Sequence, residues 1–172
     1  MNYWSWLLYN KAGKSGIRRF VDGWLVLHLT VGFTLAWLVP VELQIAANSV
    51  LLPLAGIFIG LCFAWGGNAN ALLQTEEIQR VSEEHPGGLR EYVFVYQTAI
   101  LVVLTTLCLW GLAGLGFLRE YIPPNSALSL SARTFVFFLS SLTIRECWHV
   151  VLGAQSMLLV KSEIRTAERK NS

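Results

Sequence analysis

Hydrophobic residues fall into four long blocks along the chain, and short segments between the blocks hold nearly all of the charged residues. The blocks cover about residues 20–39, 45–67, 92–118 and 134–160. Each is close to the length of about 20 residues that an α-helix needs to cross a bilayer. The pattern therefore predicts an all-α integral membrane protein with four transmembrane helices.

Three polar segments complete the predicted organisation. Residues 1–19 place aromatic side chains before basic ones, which is typical of a short helix lying in the membrane interface, although a frayed tail would show the same pattern. Residues 68–91 predict a cytoplasmic helical extension of the second span, ended by a turn at His85–Gly88. The negative charge of this segment would let it dock on a basic segment or simply face water. Residues 161–172 form a basic cytoplasmic tail.

Composition narrows the class further. The chain has 172 residues, of which 54% are hydrophobic and 14% charged, and its mean hydropathy is +0.51. A soluble domain carries about 25% charged residues, so a water-soluble surface is excluded, and the four spans leave no room for a separate soluble domain. The net charge is only +2, and the basic residues flank the hydrophobic blocks, so a nucleic-acid partner is not expected.

The distribution of Lys and Arg between the short loops predicts the orientation. One side would carry most of them: Lys11, Lys14, Arg18, Arg19, Arg80, Arg90, Lys161, Arg165, Arg169 and Lys170. The other side would carry only Arg119 and Arg133. Because basic loops stay in the cytoplasm, both termini and the middle loop are predicted to be cytoplasmic.

Small residues at four-residue spacing mark two helix faces. Gly32 and Ala36 would let a neighbour approach the first span closely, and Gly56, Gly60 and Ala64 form a longer ridge on the second span. Such ridges remove the side chains that would hold two membrane helices apart. We therefore expect Gly56, Gly60 and Ala64 to form a helix contact, either within the chain or in a homo-oligomer.

The fourth block contains an unusual group of polar residues, Arg145, Glu146 and His149. An ionised group in the middle of a membrane costs about 2.5–3.5 kcal/mol on insertion scales, so these side chains should face protein or water. Helical spacing places His149 near both Arg145 and Glu146, whereas Arg145 and Glu146 point about 100° apart. Glu146 therefore needs a partner elsewhere, and the candidates are His28, Gln97 and Gln155.

This polar group allows two interpretations. It could form a conduction path, a proton relay or a ligand pocket in the bundle, or it could be a buried ion pair that sets helix register. His28 and His149 would lie at similar depth, so axial ligation of a haem is a further possibility. The isolated cysteines Cys62, Cys108 and Cys147 predict neither a disulfide framework nor a zinc site, and no metal site is expected.

Motifs that carry catalysis are missing from the sequence. It has no HExxH, no GxSxG and no pair of carboxylates in one aqueous site, so we do not expect an enzyme. In size and span number the chain resembles several groups of small bacterial membrane proteins, including small multidrug exporters and membrane effectors of phage defence. The small exporters have a carboxylate within their first span, whereas this chain has only Asp22 at the edge of that span.

The resulting hypothesis is a homo-oligomeric pore-like or effector protein of the bacterial inner membrane that acts in ion transport without catalysis, and whose fourth span lines or braces a polar site. The alternative is a membrane anchor or assembly subunit of a redox or other enzyme complex. Its expected partners are the lipid bilayer and either further copies of itself or another membrane subunit.

Overall fold

The computed structural model describes residues 3–9, 16–39, 41–76, 78–79, 88–117 and 126–171. These residues form six α-helices: α1 (Tyr3–Tyr9), α2 (Gly23–Leu38), α3 (Leu43–Ala46), α4 (Leu52–Leu73), α5 (Gly88–Gly114) and α6 (Ala127–Asn171). A 3-10 turn, Gly16–Arg19, precedes α2, and a π-helical segment, Ala47–Leu51, joins α3 to α4. The predicted all-α class is confirmed.

Three helical stretches of the described residues are long and apolar enough to cross a membrane: Leu43–Leu73, Tyr92–Gly114 and Ala127–Ala167. The first predicted span is shorter than these. Its helix, α2, has 16 residues, and a helix of that length extends about 24 Å, less than the roughly 30 Å of a typical hydrocarbon core. The structure thus contains three long apolar helices and one shorter apolar helix.

Polar contacts define both ends of α2. The Asp22 side chain accepts a hydrogen bond from the Leu25 backbone N–H at 3.1 Å, which makes Asp22 the N-cap. At the other end, the Arg133 guanidinium donates to the carbonyl of Val39. A cation is favourable there because the unpaired carbonyls of a helix C-terminus carry partial negative charge.

Helix α2 runs antiparallel to α6 and lies directly against it. His28 contacts Ser141, while Gly32 lies beside the α6 backbone at Thr134 and Phe138. A Cβ atom on Gly32 would come within 2.7 Å of the Phe138 nitrogen, so only glycine permits this approach. Gly32 and Ala36 are both buried, which confirms the predicted close contact on this face.

The second predicted span is one helical stretch with a wide turn near its start. The π-helical segment, Ala47–Leu51, directly precedes Pro53. Proline lacks an N–H and its ring collides with the carbonyl four residues earlier in a regular α-helix, and a π turn opens that region. Beyond Gly67 the helix continues to Leu73, and the backbone is helical again at residues 76, 78 and 79. Glu77 and residues 80–87 of the predicted extension lie outside the described residues, and its cytoplasmic location stays a prediction.

The last two helices differ from their predicted boundaries. Helix α5 already includes Gly88, which was predicted to lie in a turn, and it ends at Gly114, before the predicted end near residue 118. The reason for the early end is Gly116, whose φ of 78° belongs to the left-handed region that terminates helices. Helix α6 begins seven residues earlier than predicted because Ser126 caps it, accepting from the Ser129 N–H at 3.1 Å.

The N-terminal aromatic segment is helical, as predicted, and it packs against α5. Trp6 is buried, and its ring lies 5.5 Å from that of Phe94, while the Tyr3 hydroxyl is 3.1 Å from the Thr98 hydroxyl. Trp4, by contrast, is exposed. Part of the segment therefore belongs to the bundle, while its position in a membrane interface stays a prediction.

The core lies between α4, α5 and α6, and the outer faces of the helices are apolar. Inside, Thr143 donates to Thr106 at 2.9 Å, a buried hydrogen bond of the kind that joins membrane helices. Outside, only 28%, 28% and 22% of the three apolar stretches is buried within the protein. Exposed apolar surface of this extent needs lipid or other chains to cover it.

Candidate functional site

The first part of the site is an ion pair between α2 and α6. The Arg145 Nη2 atom donates to Asp22 Oδ2 at 2.7 Å, and the same carboxylate caps α2 through Oδ1. Asp22 is about one-third exposed and Arg145 is mostly buried, so the pair lies at the edge of the bundle. Arg145 was expected halfway along a span; because its partner precedes α2, the guanidinium lies level with the end of that helix.

Arg145 also contacts His149 on its own helix. The Arg145 Nε atom lies 3.4 Å from His149 Nε2, which is long for an N–H···N hydrogen bond. To accept this bond, the imidazole must carry no hydrogen on Nε2, because arginine can only donate. The structure therefore places Arg145 beside His149, with His149 as the acceptor.

Glu146 points in a different direction from its neighbour and is fully buried, with 0% of its surface exposed. It lines a partly open cavity of about 10 Å³ between α5 and α6, whose walls are formed by Tyr92, Val95, Tyr96, Ala99, Glu146, His149 and Val150. A cavity of this size is near the minimum that holds one water molecule. Glu146 and His149 thus line the same cavity, as their three-residue spacing predicted. Arg145 instead forms an ion pair with Asp22.

Two tyrosines of α5 form the opposite wall, and two glycines make room for them. The Tyr92 ring lies over Gly153 of α6, where a Cβ atom would be 3.1 Å from the ring. The Tyr96 ring lies so close to Gly66 of α4 that a Cβ there would overlap it. The Tyr96 hydroxyl donates to the Cys62 carbonyl at 3.3 Å, whereas the buried Tyr92 hydroxyl has no hydrogen-bond partner among the described residues.

His28 belongs to a separate contact. Its Nδ1 atom lies 2.7 Å from the Ser141 hydroxyl, and its buried Nε2 atom makes no hydrogen bond to the described residues. Ser141 and His149 are eight residues apart on α6, which is about 12 Å along a helix. The two imidazoles therefore lie at different levels, and the arrangement does not resemble a pair of axial haem ligands.

Other predicted site residues lie away from this cluster. Gln97 and Gln155 are exposed, so neither is brought to Glu146. Gly56, Gly60 and Ala64 are also exposed, and a Cβ added to either glycine would meet no atom within 4 Å. The expected contact of this ridge is therefore not made with any of the residues that the structure describes. Within the described residues, no group of three or more His, Cys, Asp or Glu side chains could hold a metal ion.

Sequence reasoning missed four residues of this region: Asp22, Tyr92, Tyr96 and Ser141. A signal existed for Asp22, because an aspartate directly before an apolar helix is a common N-cap and brings a charge to that helix end. Tyr92 and Tyr96 look like ordinary residues of an apolar helix, and only the packing of α5 shows where they point.

No protein-family model, no curated protein and no solved structure matches this chain. Its helix lengths and composition define an all-α protein whose apolar helices could cross a bilayer. What this protein does must accordingly be argued from its own residues.

Proposed function

We propose that the chain is a homo-oligomeric pore-like or effector protein of the bacterial inner membrane, in which Glu146 and His149 form a proton-responsive site. In this proposal all four apolar helices cross the membrane, and both termini are cytoplasmic. The observation that carries the proposal is the complete burial of Glu146 at a small cavity shared with His149.

Glu146 is an ionisable side chain in the interior of the bundle, with 0% of its surface exposed. Such side chains are rare inside apolar helix bundles and are usually retained for a function. A carboxyl group retained at such a position is a candidate for reversible protonation, and intramembrane carboxylates commonly mark proton or ion pathways.

The polar side chains also form a series of neighbouring contacts from the edge of the bundle to its interior. Asp22 is partly exposed and contacts Arg145, Arg145 contacts His149, and His149 shares the cavity with Glu146. Histidine can gain or lose a proton near neutral pH, and a water molecule in the cavity could connect it to the carboxyl group. The α2 end of this series is cytoplasmic in the proposed orientation, and Arg145, which cannot release a proton, orients His149 instead of relaying protons.

The antiparallel packing of α2 and α6 supports the proposed topology. Contacts run from Asp22–Arg145 through His28–Ser141 to Gly32, so α2 follows the long helix instead of crossing it. Single cysteines at Ser82 and Asn125, both outside the described residues, should be labelled from opposite sides of the membrane in a background without the native cysteines. Labelling of both from one side would refute four spans.

The proton site is tested with Glu146→Gln in the full-length protein, by proton and potassium flux in liposomes at several pH values and by thermal melting. We expect the flux and its pH dependence to change sharply while the fold is retained, because glutamine keeps the shape of the side chain but cannot ionise. The matched control is Gln155→Ala, which changes an exposed polar residue on the same helix. Wild-type flux at every pH would rule out a role in transport.

Arg145→Gln and His149→Ala distinguish this site from a purely structural ion pair. If the cluster only holds helices together, Arg145→Gln should lower stability, but by less than the roughly 3–5 kcal/mol of a fully buried pair, because Asp22 is about one-third exposed and water can solvate its charge. His149→Ala should then have little effect. In our proposal, His149→Ala changes the pH dependence of flux with a smaller loss of stability.

The membrane-anchor alternative is favoured by one observation, the exposed ridge of Gly56, Gly60 and Ala64. A helix of another protein would fit this face as well as a second copy. The mass of the particle in mild detergent distinguishes a homo-oligomer from an anchor for another protein, because the protein mass of a homo-oligomer is a multiple of 19.2 kDa. A monomer that forms larger particles only with a second subunit would favour the anchor.

A further inference from the structure

Two of the three cysteines are in contact in the interior of the bundle. The Cys62 Sγ atom of α4 lies 3.2 Å from the Cys147 Sγ atom of α6, and both residues are at least 95% buried. They are 85 positions apart in the sequence, so only the packing of the two helices brings them together. Cys108, on α5, is exposed and provides an internal comparison.

The geometry of this pair is close to that of a disulfide. A disulfide bond is about 2.05 Å long, so the two sulfur atoms need to approach by only about 1 Å. Phe58, Ile59 and Val103 pack around the pair and keep the two side chains facing each other.

We propose that Cys62 and Cys147 form a dithiol–disulfide couple whose oxidant is a lipid-soluble quinone. Two S–H bonds break and one S–S bond forms, and the two electrons and two protons reduce the quinone to a hydroquinone. A lipid-soluble acceptor suits the site because both thiols are buried in apolar stretches, and the neighbour of Cys62 on the outer face, Phe63, is 68% exposed.

The cross-link would act directly on the polar site. Cys147 follows Glu146 in the chain, and the Tyr96 hydroxyl donates to the carbonyl of Cys62. Oxidation would therefore fix α4 to α6 at the level of the Glu146 cavity. The chemistry of the pair does not depend on the proposed function, since thiol oxidation is measured without any flux.

The test uses full-length protein in liposomes, treated with a short-tailed benzoquinone whose ring is fully substituted so that thiols do not add to it. The protein is then denatured and labelled with a thiol-reactive polymer. We expect the free thiols to fall from three to one, with Cys108 still labelled, and peptide mass spectrometry to show a Cys62–Cys147 link. In Cys108→Ser the free thiols should fall from two to none without any dimer on a non-reducing gel. Hydroquinone should form in proportion to the thiols lost.

Three results would overturn the proposal: three free thiols after quinone treatment, a bond that involves Cys108, or thiol loss without hydroquinone. Cys62→Ser is the matched control, and it should keep Cys147 free under the same treatment. The peptide analysis of the wild-type protein does not depend on the folding of that variant. The oxidised protein should also melt at a higher temperature, because the link constrains the unfolded chain.

Discussion

Two faces of the bundle carry the same small-residue pattern, and the protein uses them differently. On α2, Gly32 and Ala36 are buried against α6, where the backbone of Phe138 occupies the space that a side chain would fill. On α4, the spacing of Gly56, Gly60 and Ala64 is equally regular, yet this face is exposed and nothing lies within 4 Å of either added Cβ.

The difference shows what such a pattern can and cannot predict. Small residues at four-residue spacing make close helix approach possible, but they do not choose the neighbour. For α2 the neighbour is α6 of the same chain. For α4 the inward face is a different one, carrying Ala55, Cys62, Gly66 and Ala69, so the predicted ridge is left for lipid or another protein.

Replacing Gly32 with Ile should have the largest effect on stability. The new side chain would have to occupy the position of the α6 backbone, which cannot rotate away as a side chain can. We expect a loss of more than about 3 kcal/mol, above the usual range for overpacking, or failure to assemble the bundle. Thermal melting and protease resistance in detergent measure the loss. Melting like that of the wild type would contradict the described α2–α6 contact.

Replacing Gly66 with Ala should have an intermediate effect. An added Cβ would overlap the Tyr96 ring, but a side chain can move more easily than a backbone. We expect a loss of about 1–3 kcal/mol, together with a disturbed hydrogen bond from Tyr96 to Cys62. Gly67→Ala is the control at the adjacent position, where nothing lies within 4 Å. Equal melting temperatures of the two variants would argue against this packing.

Replacing Gly60 with Ile should change the stability of a single protomer least. Its position is open within the chain, so the change should stay within about 0.5 kcal/mol, as at other exposed sites. If the chain forms the proposed homo-oligomer through this face, the size of the particle should fall instead, because the branched side chain would block approach of another helix. Light scattering in mild detergent measures this, with Gly111→Ile as a second open glycine on α5. An unchanged particle size would remove the ridge from the oligomer interface.

The Asp22–Arg145 pair shows why the site was harder to predict than the fold. The sequence placed Arg145 and His149 on one face of a helix, and the structure confirms their contact. It did not reveal that Asp22 would be the partner of Arg145, because the two residues are 123 positions apart and nothing local links them. The candidates suggested for Glu146 were polar residues inside spans, yet Gln97 and Gln155 are exposed and His28 contacts Ser141.

The sequence by itself determined the all-α class and the approximate extent of the apolar helices. Both follow from local properties, since a long run of apolar residues must satisfy its backbone hydrogen bonds internally and does so as a helix. The close α2 contact at Gly32 and Ala36 was also visible as a pattern of small residues. The exact helix ends were less certain, because single capping residues such as Ser126 and Gly116 decide them.

The tertiary structure alone decided which faces meet. It brought Cys62 to Cys147, Asp22 to Arg145, and the tyrosines of α5 to the cavity at Glu146. These contacts depend on the rotation and the relative height of each helix in the bundle. A helix of this kind has apolar residues on all of its sides, so hydrophobic periodicity hardly specifies which face turns inward. Close packing at a few small residues selects the inward face instead.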